Sequence, residues 1–199
     1  MTQITFLHIK TYEKKKKRLK ALKKEIKKMA NKPTNAEKFM NMLQMQFETD
    51  LLVMRKMQML VPPSVDEYKF AIIDEIGELN HELKAKWCWW KESQEPVNQE
   101  NLLMELVDVW HFCLSFTNNR TSFDVNELAK TIAYDHLEEY TPIEFLNKFN
   151  RFAYGMPQMK ETFEWLIGVG NKFGFTFDQV YEAYKKKNEE NNARAKSNY

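Results

Sequence analysis

Glycine and proline are scarce in this chain of 199 residues, which holds five of the first and six of the second. So few chain-breakers exclude a collagen-like or loop-dominated protein. With many Leu, Met, Lys and Glu, they favour helix instead. Cysteine is limited to Cys88 and Cys113, which have no close partner and no metal-type spacing. That excludes a disulfide framework and makes a reducing cytoplasm the expected compartment. The four histidines are scattered, which argues against zinc. No apolar run approaches the roughly 18 residues of a membrane span. Residues Met1 to Lys10 are too short and too polar to be expected as a secretory signal.

What is present points to one helical domain with a basic extension. The apolar share of 43% is enough for a real core. A net charge of +2 hides an asymmetry: residues 13–28 hold ten Lys/Arg and two Glu, and the rest carries 20 basic and 26 acidic residues. Within that segment Leu19, Leu22, Ile26 and Met29 form one narrow helical stripe. Such a segment fits either a nucleic-acid or membrane patch or a solvated appendage. No aromatic residue interleaves the lysines as strand-binding surfaces require, so the appendage is favoured, and neither nucleic acid nor membrane is an expected partner. Residues 1–33 are thus expected as a basic N-terminal extension and 34–199 as the folded domain.

Pro33-Thr34-Asn35 breaks the chain, and Thr34 or Asn35 can cap a helix from Ala36 to about Met59. Pro62-Pro63 ends it, and Ser64 to Glu67 reads as a capping box opening a helix to about Lys84. Asn98 to Asn118 is apolar almost all round, which marks a central helix. Its exceptions, Glu105, Asp108, His111 and Ser115, fall on one side, so that side faces a site or a wet cleft. Further helices are expected at about Val125–Tyr140, Pro142–Tyr154 and Lys160–Phe173, with Gly174 as a stop. Thr176 to Gln179 is a second capping box, opening a last helix to about Ala195. Gly168-Val169-Gly170 lacks the strand–helix context of a phosphate loop and is expected as a turn between helices.

Two acidic motifs carry the chemistry. Glu75/Glu78 and Glu105/Asp108 are each spaced i, i+3 in apolar helical stretches, so each pair points one way. Four clustered carboxylates would repel and be costly to desolvate unless a cation offset them. All-oxygen ligation suits Mg²⁺, with Mn²⁺ as the alternative. Next comes Trp87-Cys88-Trp89-Trp90-Lys91. It fits a hydrophobic plug or dimer contact as well as a wall beside a planar ring with Lys91 aimed at phosphate. Near the C-terminus, Lys187, Asn191 and Arg194 share one helical face that suits an oligophosphate.

In this order the motifs resemble the all-α nucleoside triphosphate pyrophosphohydrolases, most closely the dimeric dUTPases and their phage dCTPase–dUTPase relatives. The resemblance rests on Glu75/Glu78, Trp87 to Lys91, Glu105/Asp108 with Trp110-His111-Phe112, and Lys187/Asn188/Asn191/Arg194 with Tyr199. It runs from about Ala36 to Tyr199. It implies an all-α helical bundle, dimeric, that holds Mg²⁺ on Glu75, Glu78, Glu105 and Asp108 around the triphosphate of dUTP, or of dCTP. It implies Glu78, with Glu75, as the catalytic acids that prepare water to attack the α-phosphorus, giving nucleoside monophosphate and pyrophosphate. Lys91, Lys187, Asn191, Arg194 and Tyr199 would grip phosphate, and Gln46, Asp50 and Trp87 would meet the base. The chain departs from the family pattern at Asn198, where Gly is usual, and at His81, where Asp or Asn is frequent.

One rival class shares part of the pattern. Glu78-x-x-His81 and Asp108-x-x-His111 echo the di-iron carboxylate bundles. That reading needs two more inward carboxylates, for which Glu138 and Glu161 are the candidates, and it leaves the Lys/Asn/Arg face without a role.

Overall fold

The computed structural model describes residues 33–119, 124–151 and 159–197. Among them are eight helices and no strand. They are α1 (Asn35–Lys56), α2 (Val65–Glu82), α3 (Lys84–Trp87), α4 (Gln99–Asn119), α5 (Val125–Thr131), α6 (Pro142–Arg151), α7 (Met159–Lys172) and α8 (Phe177–Lys196). The expected all-α bundle is what forms. The basic segment 13–30 and Tyr199 lie outside the described residues.

Side chains fix the helix ends. Thr34 caps α1: its hydroxyl accepts from the Glu37 amide at 3.2 Å, and the Glu37 carboxylate accepts from the Thr34 amide at 2.6 Å. The same reciprocal box opens α2 at Ser64/Glu67 and α8 at Thr176/Gln179, where the sequence predicts it. A further one at Thr141/Glu144 opens α6. At the end of α7, Gly174 takes φ +80°, and the amides of Gly174 and Phe175 donate to the carbonyls of Asn171 and Gly170. That is a Schellman stop, open to glycine without strain.

The spine of the bundle is α4. Leu102, Leu106, Val109, Trp110, Cys113 and Leu114 on it are wholly shielded from solvent, each worth about 1.5–3 kcal/mol for a large aliphatic or aromatic side chain. Around it pack α2, α1, α8 and α7. Lys38 pairs with Asp178 at one end of the α1–α8 seam, and Lys56 donates to the Arg194 and Ser197 carbonyls at the other. These two helices therefore run parallel. Between those ends a buried polar ladder joins them: Asn188 donates to Thr49 at 2.8 Å, and Thr49 donates to Asn192 at 3.0 Å. The polar side of α4 consequently opens into a space walled by α1, α2 and α8.

Three expectations on helix extent are corrected. The first helix stops at Lys56 rather than Met59, because Gln58 turns through a positive φ of 54°. The helix predicted to reach Tyr140 stops at Thr131, because α7 binds the polar groups of the following segment: the Ala133 amide donates to Glu164 and the Tyr140 amide to the Gly168 carbonyl. Gly168-Val169-Gly170 is no inter-helix turn but lies inside α7. A Cβ on Gly168 would stand 2.9 Å from the Glu138 carbonyl oxygen and closer still to the Tyr140 ring. The glycine is there for close packing. The end predicted for α6 at Tyr154 falls outside the described residues.

Candidate active site

A cleft of about 640 Å³ opens between α1, α2, α4 and α8, lined by Gln46, Asp50, Glu75, Glu78, Asp108, His111, Lys187, Asn191 and Arg194 among others. Its size suits a small-molecule ligand. One wall is acidic and the facing helix α8 is cationic.

On the acidic wall, Glu75 and Glu78 from α2 meet Glu105 from α4: one oxygen from each lies within 4.8 Å of the other two. Buried Oε2 of Glu105 has no hydrogen-bond partner. Burial, then the charges of Asp108, Glu78 and Glu105, push the Glu75 carboxyl up to about 7. Burial, Asp108 and Glu78 raise Glu105 as well, against the lowering pull of Lys187. Hard oxygen donors, mutual repulsion and an orphaned oxygen are what a divalent cation would satisfy. The residues present fit Mg²⁺ or Mn²⁺. Asp108, the fourth expected ligand, stands next to this trio but outside it, and its Oδ2 holds the Lys187 ammonium at 2.5 Å.

At the opposite end a hydrogen-bond network fixes one amide. The carbonyl oxygen of Gln46 accepts from the Tyr184 hydroxyl at 2.9 Å and meets Nδ1 of His111 at 2.6 Å. His111 stays neutral, since burial pulls its pKa down to about 3, so a proton on Nδ1 donates to that oxygen. The Gln46 amide nitrogen therefore turns to Asp50, donating to Oδ1 at 2.7 Å. Burial pushes the Asp50 carboxyl up to about 7 against the lowering influence of nearby Gln46 and Ser115. Oδ2 of Asp50 is buried without a hydrogen-bond partner. The sequence assigns His111 no role at the base end of the cleft and does not single out Tyr184. The polar stripe of α4 signalled His111, but Tyr184 sits 138 residues from its partner Gln46 and leaves no local trace.

Two expected contributors stay out of the cleft lining of the single chain. The Trp87 indole donates to the Asn80 carbonyl at 2.8 Å, closing the C-terminal end of α2, and lies tilted by 58° against Trp90 with centroids 5.6 Å apart. Lys91 is exposed on the following loop. Tyr199 is outside the described residues. The di-iron reading finds no footing. His81 contacts Lys84 and His111 serves Gln46. Glu138 engages Tyr140, and among the described residues the candidate metal group is purely carboxylate.

A family model described as dUTPase matches residues 38–199, which takes in every cleft residue named above. No curated protein matches the chain. With an all-helical fold, a carboxylate trio and a facing cationic helix, the chain belongs to the dUTPase family.

Proposed function

We propose that the cleft between α2, α4 and α8 is where this dUTPase hydrolyses dUTP to dUMP and pyrophosphate. Glu75, Glu78, Glu105 and Asp108 would hold Mg²⁺, or Mn²⁺ in its place. Bound there, the cation supplies charge neutralisation for the phosphates and acidity for an attacking water. Glu78 is the proton acceptor for that water, aimed at the α-phosphorus; it is the most exposed of the trio and faces the cleft. Lys187, Asn191 and Arg194 bind phosphate oxygens from α8, with Lys91 and Tyr199 as further phosphate contacts. Gln46 and Asp50 meet the pyrimidine edge. The single observation that carries this reading is the carboxylate trio within 4.8 Å, opposite a helix bearing Lys187 and Arg194. The test is a panel of nucleoside triphosphates with Mg²⁺, assayed for pyrophosphate. We expect release from dUTP and a loss of about 10²-fold or more in Glu78→Gln. Full turnover by that variant removes Glu78 as the base.

Asp50 favours a second substrate. An unpartnered buried oxygen beside an amide donor offers an acceptor–donor pair. That pair suits N3–H and O4 of uracil, and equally the amino group and N3 of cytosine. Hydrolysis of dCTP alongside dUTP is the phage-type alternative. Equal turnover of both bases by the wild type and by Asp50→Asn would remove Asp50 as the discriminating group.

The domain is proposed to begin near residue 34, with 1–33 as an extension. A homodimer in a reducing cytoplasm is proposed as its working form. Three observations support this: Phe70 and Ile73 are exposed together on α2, Cys88 and Cys113 are both unpaired, and no described helix is long and apolar enough to cross a membrane.

A further inference from the structure

The carboxylate of Asp108 has two claims on it. It stands beside the trio of Glu75, Glu78 and Glu105, its charge raising the pKa of Glu75 and of Glu105, and it already holds Lys187. Both partners of that pair are mostly buried, with side-chain exposures of 14% and 17%. A cation on the trio and an ammonium on the same oxygen of Asp108 would repel each other across a few ångströms of low-dielectric space. Arg194 acts on Asp108 more weakly than Lys187 does, and its side chain is exposed. Lys187 is thus the competitor for this ligand, and it is also a cation on the helix that faces the triphosphate.

We propose that Lys187 is a stand-in cation that occupies Asp108 until a triphosphate draws its ammonium away, so that nucleotide binding hands Asp108 to the metal. The proposal rests on the cleft being the dUTPase site. Lys187 acts here as a positioning residue for Asp108, beyond any grip it has on phosphate. The consequence is coupling: nucleotide tightens metal binding, and metal tightens nucleotide binding by the same factor. It also explains why a site with four acids places only three of them in one compact group.

The experiment is a titration of the full chain with Mn²⁺, following the free ion by electron paramagnetic resonance, with and without the non-cleavable analogue α,β-imido-dUTP. For the wild type we expect the analogue to tighten Mn²⁺ binding. In Lys187→Met we expect Mn²⁺ to bind the nucleotide-free protein about tenfold more tightly than wild type, as removal of one nearby positive charge allows. The analogue should then add little. Asp108→Asn is the companion variant: on that background Lys187→Met should give no further tightening. Unchanged or weaker Mn²⁺ binding in Lys187→Met overturns the proposal. So does an equal gain in Arg194→Met, which would make the effect one of general charge. Pyrophosphate release from dUTP by the wild type, measured beside these titrations, tests the site itself. If that release is present while Lys187→Met binds Mn²⁺ as the wild type does, only the exchange fails.

Discussion

Asp50 is the residue at which recognition and stability pull apart. Its carboxyl titrates near 7 in the fold against 3.8 for an ordinary aspartate, because burial disfavours its charge. The folded chain therefore binds more protons than the unfolded chain between those two values. Its stability contribution falls as pH rises through that window, and the penalty is complete above about 7. At pH 8 the burial of this charge costs on the order of 4 kcal/mol. Asp50→Asn keeps an oxygen for the Gln46 amide and has no charge to bury. It should melt higher than the wild type at pH 8, and the gap should close as pH falls to 5, as thermal melts at the two pH values will show. His111 works in the opposite sense. Its pKa, depressed by burial to about 3, costs stability as pH falls below its usual 6.5, and both proteins share that cost. A melting gap that is flat with pH would mean that Asp50 is not the group being titrated. Gln46 and Asp50 are legible in the sequence only through the resemblance to the dUTPases. The buried pKa is not legible, because it depends on α4 and α8 closing over the pair.

At the scale of elements, α7 sets helix propensity against packing. Propensity alone says that Gly168→Ala, in the interior of a helix, gains up to about 1 kcal/mol. Packing says the reverse, since the new Cβ would stand 2.9 Å from the Glu138 backbone carbonyl and against the Tyr140 ring. Backbone cannot give way as the end of a flexible side chain can, so a loss of about 1–3 kcal/mol is expected. Urea unfolding should show it as a lower midpoint with an unchanged slope; a raised midpoint would mean that residues 138–140 do not bear on α7. The same contact explains which helices the sequence discloses. Those with their own capping boxes, α1, α2 and α8, begin where Thr34, Ser64 and Thr176 say they should. The end of α5 is set by α7, more than 30 residues away in the chain, through Glu164 and the Ala133 amide. No local pattern records that. The i, i+3 spacing likewise discloses both acidic pairs, while the diversion of Asp108 to Lys187 is a cross-helix event, 79 residues apart.

At the scale of the whole molecule, charge and family membership divide the chain in the same place. The match to the dUTPase family begins at residue 38, just past the first cap at Thr34. Twelve of the chain's 30 basic residues fall before it, ten of them in residues 13–28. Among the described residues the cleft's cations, Lys56, Lys187 and Arg194, come from α1 and α8. The exposed apolar residues Phe70, Ile73, Trp89 and Trp90 also belong to the matched part, and exposed aromatic and aliphatic side chains of that kind are what a second copy would cover. Catalysis and association should therefore both survive loss of the extension. A chain lacking residues 1–30 is expected to elute as a dimer by light scattering and to hydrolyse dUTP with kcat/KM within about twofold of the full chain, since the family match begins beyond them. A loss of turnover at unchanged mass would tie the basic segment to the cleft. A monomer that still turns over would move the dimer contact to residues 1–30 and free the Trp89–Trp90 surface from that role.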